Sequence, residues 1–100
     1  FMNMQAMLKQ AQKLQKQMMN TKDEISKMTF TGKSSLVEVT VNGDKKVLSV
    51  KINSDSALEA DEIEMLQDMI MIATNDAFEQ VDKITESKMG KYTQGMPGLF

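Results

Sequence analysis

The sequence predicts an α+β domain in the order α-β-β-β-α, with a three-stranded antiparallel sheet and two long projecting helices. Three observations carry this reading. Residues 2–28 contain no Gly or Pro and repeat apolar side chains at heptad spacing. Residues 36–52 read as two alternating strands joined at Asn42-Gly43. Residues 61–89 return to helical spacing, with apolar side chains on more than one side.

In the first helix, Met4, Ala11, Met18 and Ile25 recur every seven residues, and Met7, Leu14, Thr21 and Met28 fill the alternate positions. That is a heptad seam broken only at Thr21. Lys9, Lys13, Lys16 and Lys27 fall on the opposite face. A helix of about 26 residues spans roughly 39 Å, well beyond the usual length of about 11–12 residues. It must project beyond any body that so small a chain can build. The stretch MLKQAQKLQKQMM, residues 7–19, holds three lysines and no acid. Its apolar side suits packing against another helix, and its lysine side suits a polyanion.

The middle of the chain reads as a β-meander over residues 29–53. Phe30 lies in a short strand, and Gly32-Lys33-Ser34-Ser35 reads as a loop. LVEVTV alternates Val37, Val39 and Val41 against Glu38 and Thr40, the pattern of a half-buried strand. Asn42-Gly43 is the residue pair that tolerates positive φ in a tight hairpin. VLSVKI then places Leu48, Val50 and Ile52 on one face. The sheet so built is open at its edges.

The last segment, residues 56–89, begins with two capping-box patterns, Ser56 with Glu59 and Asp61 with Glu64. A short turn is expected before a main helix that Gly90 stops, followed by a flexible tail over 90–100. One apolar stripe holds Ile63, Leu66, Ile70, Ala73 and Ala77, and a second holds Met65, Met69 and Ile72. A helix that covers one face of a sheet needs a single stripe. The second stripe, the heptad seam and the sheet edges would stay exposed in a monomer, so a two-fold homodimer is expected. Its interface is placed at Met65, Leu66, Met69, Ile72 and Ala73.

Composition narrows the chemistry. The hundred residues, 41% of them apolar, suit one packed domain. There is no His, Cys, Trp or Arg, which removes the commonest general base, the strongest nucleophile and the usual transition-metal ligands. Neither an enzyme, nor a cofactor, nor a metal site is expected. No apolar run is long enough to span a membrane, and no secretory signal pattern opens the chain. A cytoplasmic location is therefore expected. Net charge is −2, but it is unevenly spread. Residues 1–22 carry four lysines and no acid, whereas residues 57–86 carry nine acids and only Lys83. Basic ends flank an acidic helix.

Four motifs stand in order along nearly the whole chain: MLKQAQKLQKQMM, VEVTVNGDKKVLSVKI, ATNDAFEQV and SKMG…MPGLF. Together they resemble the YbaB/EbfC family of bacterial nucleoid-associated proteins. The resemblance implies a cytoplasmic, nucleoid-located homodimer that binds DNA, alters its conformation and affects gene expression. It transfers no catalytic motif. The positions it implies for DNA contact are Lys9, Lys13 and Lys16 in the first helix and Lys88 and Lys91 after the last. Lysines three to four apart line one helix face and can follow a phosphate backbone. The lack of Arg argues against bidentate readout of guanine. The rival reading is a protein-interaction module whose first helix docks a partner helix through its apolar seam.

Other features have plainer readings. The eleven methionines sit mostly at apolar helical positions, where a flexible side chain fills gaps. The acids from Asp55 to Glu64 suit a helix N-terminus and lack calcium-loop spacing. Asn75-Asp76 either faces solvent or bonds across the dimer. Gln5, Gln10, Gln12, Gln15 and Gln17 suit an exposed helix surface and can add hydrogen bonds to a bound duplex.

Overall fold

A computed structural model describes residues 3–93. The elements are α1 (Met4–Lys27), β1 (Thr29–Ser34), β2 (Val37–Asn42), β3 (Val47–Ile52), a single 3-10 turn (Ala60–Glu62) and α2 (Ile63–Thr93). The strands lie in the order β1-β2-β3, antiparallel throughout. The α-β-β-β-α fold expected from the sequence is the one observed.

Helix α1 starts where the Asn3 side chain accepts a hydrogen bond from the Ala6 amide at 2.7 Å. Such a cap satisfies one of the free donors of a first turn. Near the other end, Lys27 pairs with Asp23 one turn back at 3.0 Å.

The core lies between one face of the sheet and α2. Val37, Val39 and Val41 of β2 are fully buried, as are Ala73 and Ala77 of α2. Phe30 and Val81 complete the cluster, with Leu66, Met69, Ile70 and Phe78 packed around it. Small residues set the spacing of the two layers. A Cβ on Gly32 would lie 2.0 Å from the Ala73 carbonyl oxygen and 2.6 Å from the Ala77 nitrogen. Gly32 is thus a seat for the helix backbone inside β1. This corrects the expectation of a loop at residues 32–35: the strand runs to Ser34, and only Ser35-Leu36 turns. Ser35 takes the positive φ of 51° that this turn demands.

Gly43 also differs from its expected use. The positive φ falls on Lys45, while the Asn42 side chain accepts from the Asp44 and Lys46 amides at 2.9 and 3.0 Å. Asn42 shapes the turn from its side chain. Gly43 is needed for close approach, since a Cβ there would meet the Ile25 carbonyl oxygen at 1.8 Å. Its amide donates to the Met28 carbonyl at 3.1 Å, which docks the hairpin tip on the end of α1.

Two further corrections concern α2. Its capping box uses Glu59 and Glu62, with the Glu59 amide donating to the Glu62 carboxylate at 3.0 Å. Neither predicted pair serves. Gly90 does not stop the helix, which continues to Thr93. A glycine costs about 1 kcal/mol in a helix relative to alanine, and packing on both sides of Gly90 outweighs that. Met89 and Tyr92 are buried with Ile25, and Met18 and Ile84 pack against them. The predicted tail from residue 94 onward lies outside the described residues.

This second cluster joins the two helices. Ile25 abuts the hairpin tip at Gly43, and Asp82 of α2 binds Lys45 of the same tip at 2.6 Å. From that corner α2 runs outward while α1 runs inward, so the pair is antiparallel. The result is an elongated molecule of 73 × 21 × 14 Å. Replacing Ile25 by Ala is expected to cost about 2–4 kcal/mol, the range for deleting a buried aliphatic side chain. Urea denaturation should show the loss, and faster amide exchange should be concentrated in α1.

Candidate nucleic-acid interface

Beyond the cluster at Ile25, α1 is bare. Every residue from Asn3 to Gln17 is exposed, and Met18 is the first to be half-buried. Fourteen residues of helix, about 21 Å at the standard rise, therefore extend as a free arm. Such a segment stays helical through its cap, its Ala, Leu, Lys and Gln content, and its continuity with the packed end.

Lys9, Lys13 and Lys16 lie on this arm, all exposed. Among the described residues none of them has an ion-pair partner, and the nearest acid in sequence, Asp23, is held by Lys27. Lys9 and Lys16 stand about 10 Å apart along the axis, and Lys13 lies between them on the same side. An acid-free helix edge carrying three unpaired ammonium groups is complementary to a regularly spaced polyanion. Lys88 and Lys91 are also exposed, on the part of α2 that runs beside α1. The Lys91 ammonium sits 5.0 Å from the centre of the Tyr92 ring. The structure thus gathers Lys9, Lys13 and Lys16 on one continuous edge and sets Lys88 and Lys91 on the neighbouring helix.

Glu79 and Glu86 are exposed on α2, Glu86 two residues before Lys88, but the other acids of the 3-10 turn and α2 lie elsewhere or are engaged. Asp61, Glu62, Glu64 and Asp68 stand where α2 crosses the sheet, around Leu66 and Met69 of the core. Along α2, Asp68 is about 35 Å from Lys91, several screening lengths at physiological salt. Asp82 is occupied by Lys45, and Asp76 by the sheet.

Asp76 has a role the sequence did not reveal. Its carboxylate accepts from the Lys33 amide at 3.1 Å, and one turn on, the Gln80 side-chain amide donates to the Thr31 carbonyl at 2.8 Å. Both groups belong to the outer edge of β1. Asp76 thus closes a strand edge of its own chain, while Asn75 faces solvent. An unpaired strand edge invites pairing with other chains, so the expected two open edges become one, on β3.

The β3 end of the sheet is uncovered. Pairing with Val37 and Val39 places Ile52 and Val50 on the α2-facing side, yet the helix does not reach β3. Val47, Leu48, Val50 and Ile52 remain 42–54% exposed. Of the predicted dimer residues, Met65 and Ile72 are exposed at 56% and 52%. Leu66 and Met69 pack against the chain's own core. Ala73 is fully buried there, against Gly32, and Ile63, expected in the core stripe, is exposed. Alternation pointed to the apolar side of β3, but only the position of α2 shows that this side is left bare. Among the described residues there is no cluster of acids suited to a metal ion, and no helix long and apolar enough to cross a membrane.

Fold and arm define the class: a small α+β protein whose long first helix carries an exposed lysine edge. The family model of the YbaB/EbfC DNA-binding family matches residues 1–96, and the chain belongs to that family. A nucleoid-associated protein of Lactococcus lactis subsp. cremoris (strain MG1363) is 51% identical over 96% of this chain and 98% of its own length. A nucleoid-associated protein of Ligilactobacillus salivarius (strain UCC118) is 43% identical over 98% of this chain and 95% of its own. In structure, the chain is similar to an uncharacterized protein of Helicobacter pylori, with a TM-score of 0.73 at 21% identity, covering 92% of this chain and 98% of that one. That likeness speaks to the fold.

Proposed function

We propose that this chain is a nucleoid-associated DNA-binding protein that acts as a two-fold homodimer on the bacterial nucleoid, in the cytoplasm. It grips phosphates through Lys9, Lys13 and Lys16, with Lys88 and Lys91 flanking them, and reads little sequence. It carries out no catalysis and needs no cofactor. The observation that carries the reading is the arm itself: three lysines, without ion-pair partners among the described residues, along one edge of the acid-free, solvent-exposed part of α1 in a DNA-binding family. The absence of Arg supports low specificity, because lysine contacts phosphate as a point charge and lacks the bidentate fork that recognises guanine. Two arms on one dimer would bend or constrain the duplex between them.

The test is a gel-shift series in salt. A dimer that neutralises about six phosphates gives a log–log slope near −5. Salt-independent affinity, or no binding in dilute salt, would refute the reading.

What supports the dimer is the apolar side of β3, together with the exposed Met65 and Ile72 on α2. An apolar patch of this kind is typical of an association surface. Val50→Asp puts a charge in that patch at a position already half exposed in the single chain. The variant is expected to keep its circular dichroism and to sediment as a monomer at micromolar concentration. A Val50→Asp protein that remains dimeric would move the interface away from β3.

A further inference from the structure

The apolar seam of α1 does not end where its packing ends. Met18 and Ile25 lie in the cluster with Met89 and Tyr92, whereas Met4, Met7, Leu8 and Leu14 farther out are 50–84% exposed. DNA held by the lysines cannot cover them. With Met4 at position a of the heptad, the seam occupies a and d, Lys9 and Lys16 occupy f, and Lys13 occupies c. Positions f and c point away from a and d, so the two faces of the arm are opposed.

The flanks of the seam show which occupant fits. Charges at e and g usually select a coiled-coil partner of complementary charge. Here e and g are Leu8, Gln10, Gln15 and Gln17, all neutral. A second helix of the same sequence therefore meets no like charge at the contact. We propose that the outer seam of α1 pairs with the same seam of a second copy in a neighbouring dimer. The lysines of the two helices then face outward on opposite sides of the pair.

Two heptads make a weak coil in isolation. Pairing therefore depends on a duplex that neutralises the lysines and raises the local concentration of arms. The proposal rests on the DNA-binding reading for that promotion, while the seam contact itself involves none of the DNA-binding lysines.

The chain has no Cys, so single thiols report the contact directly. Ala11→Cys lies in the seam, and Ala6→Cys lies at the outward c position. Both sites are exposed and outside the packed core, so neither change endangers the fold. On a duplex long enough for several dimers, a short bis-maleimide is expected to join Ala11→Cys chains at least about tenfold more than Ala6→Cys chains. The joined protein is expected to sediment as two dimers or more. Equal joining at the two sites overturns the proposal. So does joined protein that sediments as a single dimer, or no joining at Ala11→Cys, the result if another protein covers the seam.

A second variant reads the consequence for DNA. Met7→Gln with Leu14→Gln, which leaves the charge of the arm unchanged, is expected to turn a steep binding curve on long duplex into a simple hyperbola. Affinity for a duplex that holds one dimer should not change. Unchanged steepness overturns the proposal. Reversal of the three lysines tests the DNA reading separately, because it leaves every a, d, e and g residue in place.

Discussion

Replacing Lys9, Lys13 and Lys16 together by Glu is expected to weaken DNA binding by about a thousandfold or more at low salt, and about equally for all sequences. The three ammonium groups share one helix edge and have no acidic neighbour among the described residues, so nothing on the arm offsets their loss. In a dimer the change removes about six phosphate contacts, and it also adds six charges that repel the duplex. Contacts in that number account for a loss of about a thousandfold in affinity between roughly 50 and 200 mM salt. The variant should therefore lose most of its salt dependence along with its affinity. Its fold should not change, because residues of the free arm contribute nothing to either apolar cluster. Circular dichroism and thermal unfolding measure the second half of this expectation, gel shifts the first. Retained binding with the slope intact would move the grip to Lys88, Lys91 or elsewhere.

Gly32→Ala is expected to be strongly destabilising. The added carbon would lie 2.0 Å from one backbone atom of α2 and 2.6 Å from another. Neither atom can yield as a flexible side chain would. The helix must lift from β1, which opens the contact with Val39 and Val41 and strains the bonds from Asp76 and Gln80 to the strand edge. Overpacking costs typically 1–3 kcal/mol and more when backbone must move, so a loss of about 3 kcal/mol is expected. For a domain of this size that lowers Tm by roughly 12–24 °C. Gly90→Ala is the matched control. Nothing lies within 4 Å of its would-be Cβ, and it sits inside a helix, so alanine should stabilise by up to about 1 kcal/mol. Calorimetry on the two variants should give shifts of opposite sign. A neutral Gly32→Ala would mean that α2 does not seat on β1 in this way.

The two glycines show where local patterns fall short. Gly32 looked like a loop and is a helix seat; Gly90 looked like a stop and is interior helix. Each expectation followed from glycine's local preferences, and each was overruled by what the rest of the chain puts beside it. Asp76 is a similar case, since a polar residue at that spacing gives no sign that its partner is a strand amide forty-three residues away.

Periodicity by itself determined the order of the elements, the length and exposure of α1, the faces of β2, and the separation of lysines from the apolar seam along the arm. These properties repeat every two or every seven residues, so a single strand or helix expresses them without help from the rest of the chain. Only the tertiary structure decided which apolar face is covered. It seated α2 over β1 and β2, sealed the β1 edge with Asp76 and Gln80, buried Ala73 and left β3 bare. Covering one surface with another depends on close approach between segments distant in sequence. That fit is a matter of a few ångströms at Gly32 and Gly43, and no repeat along the chain encodes it.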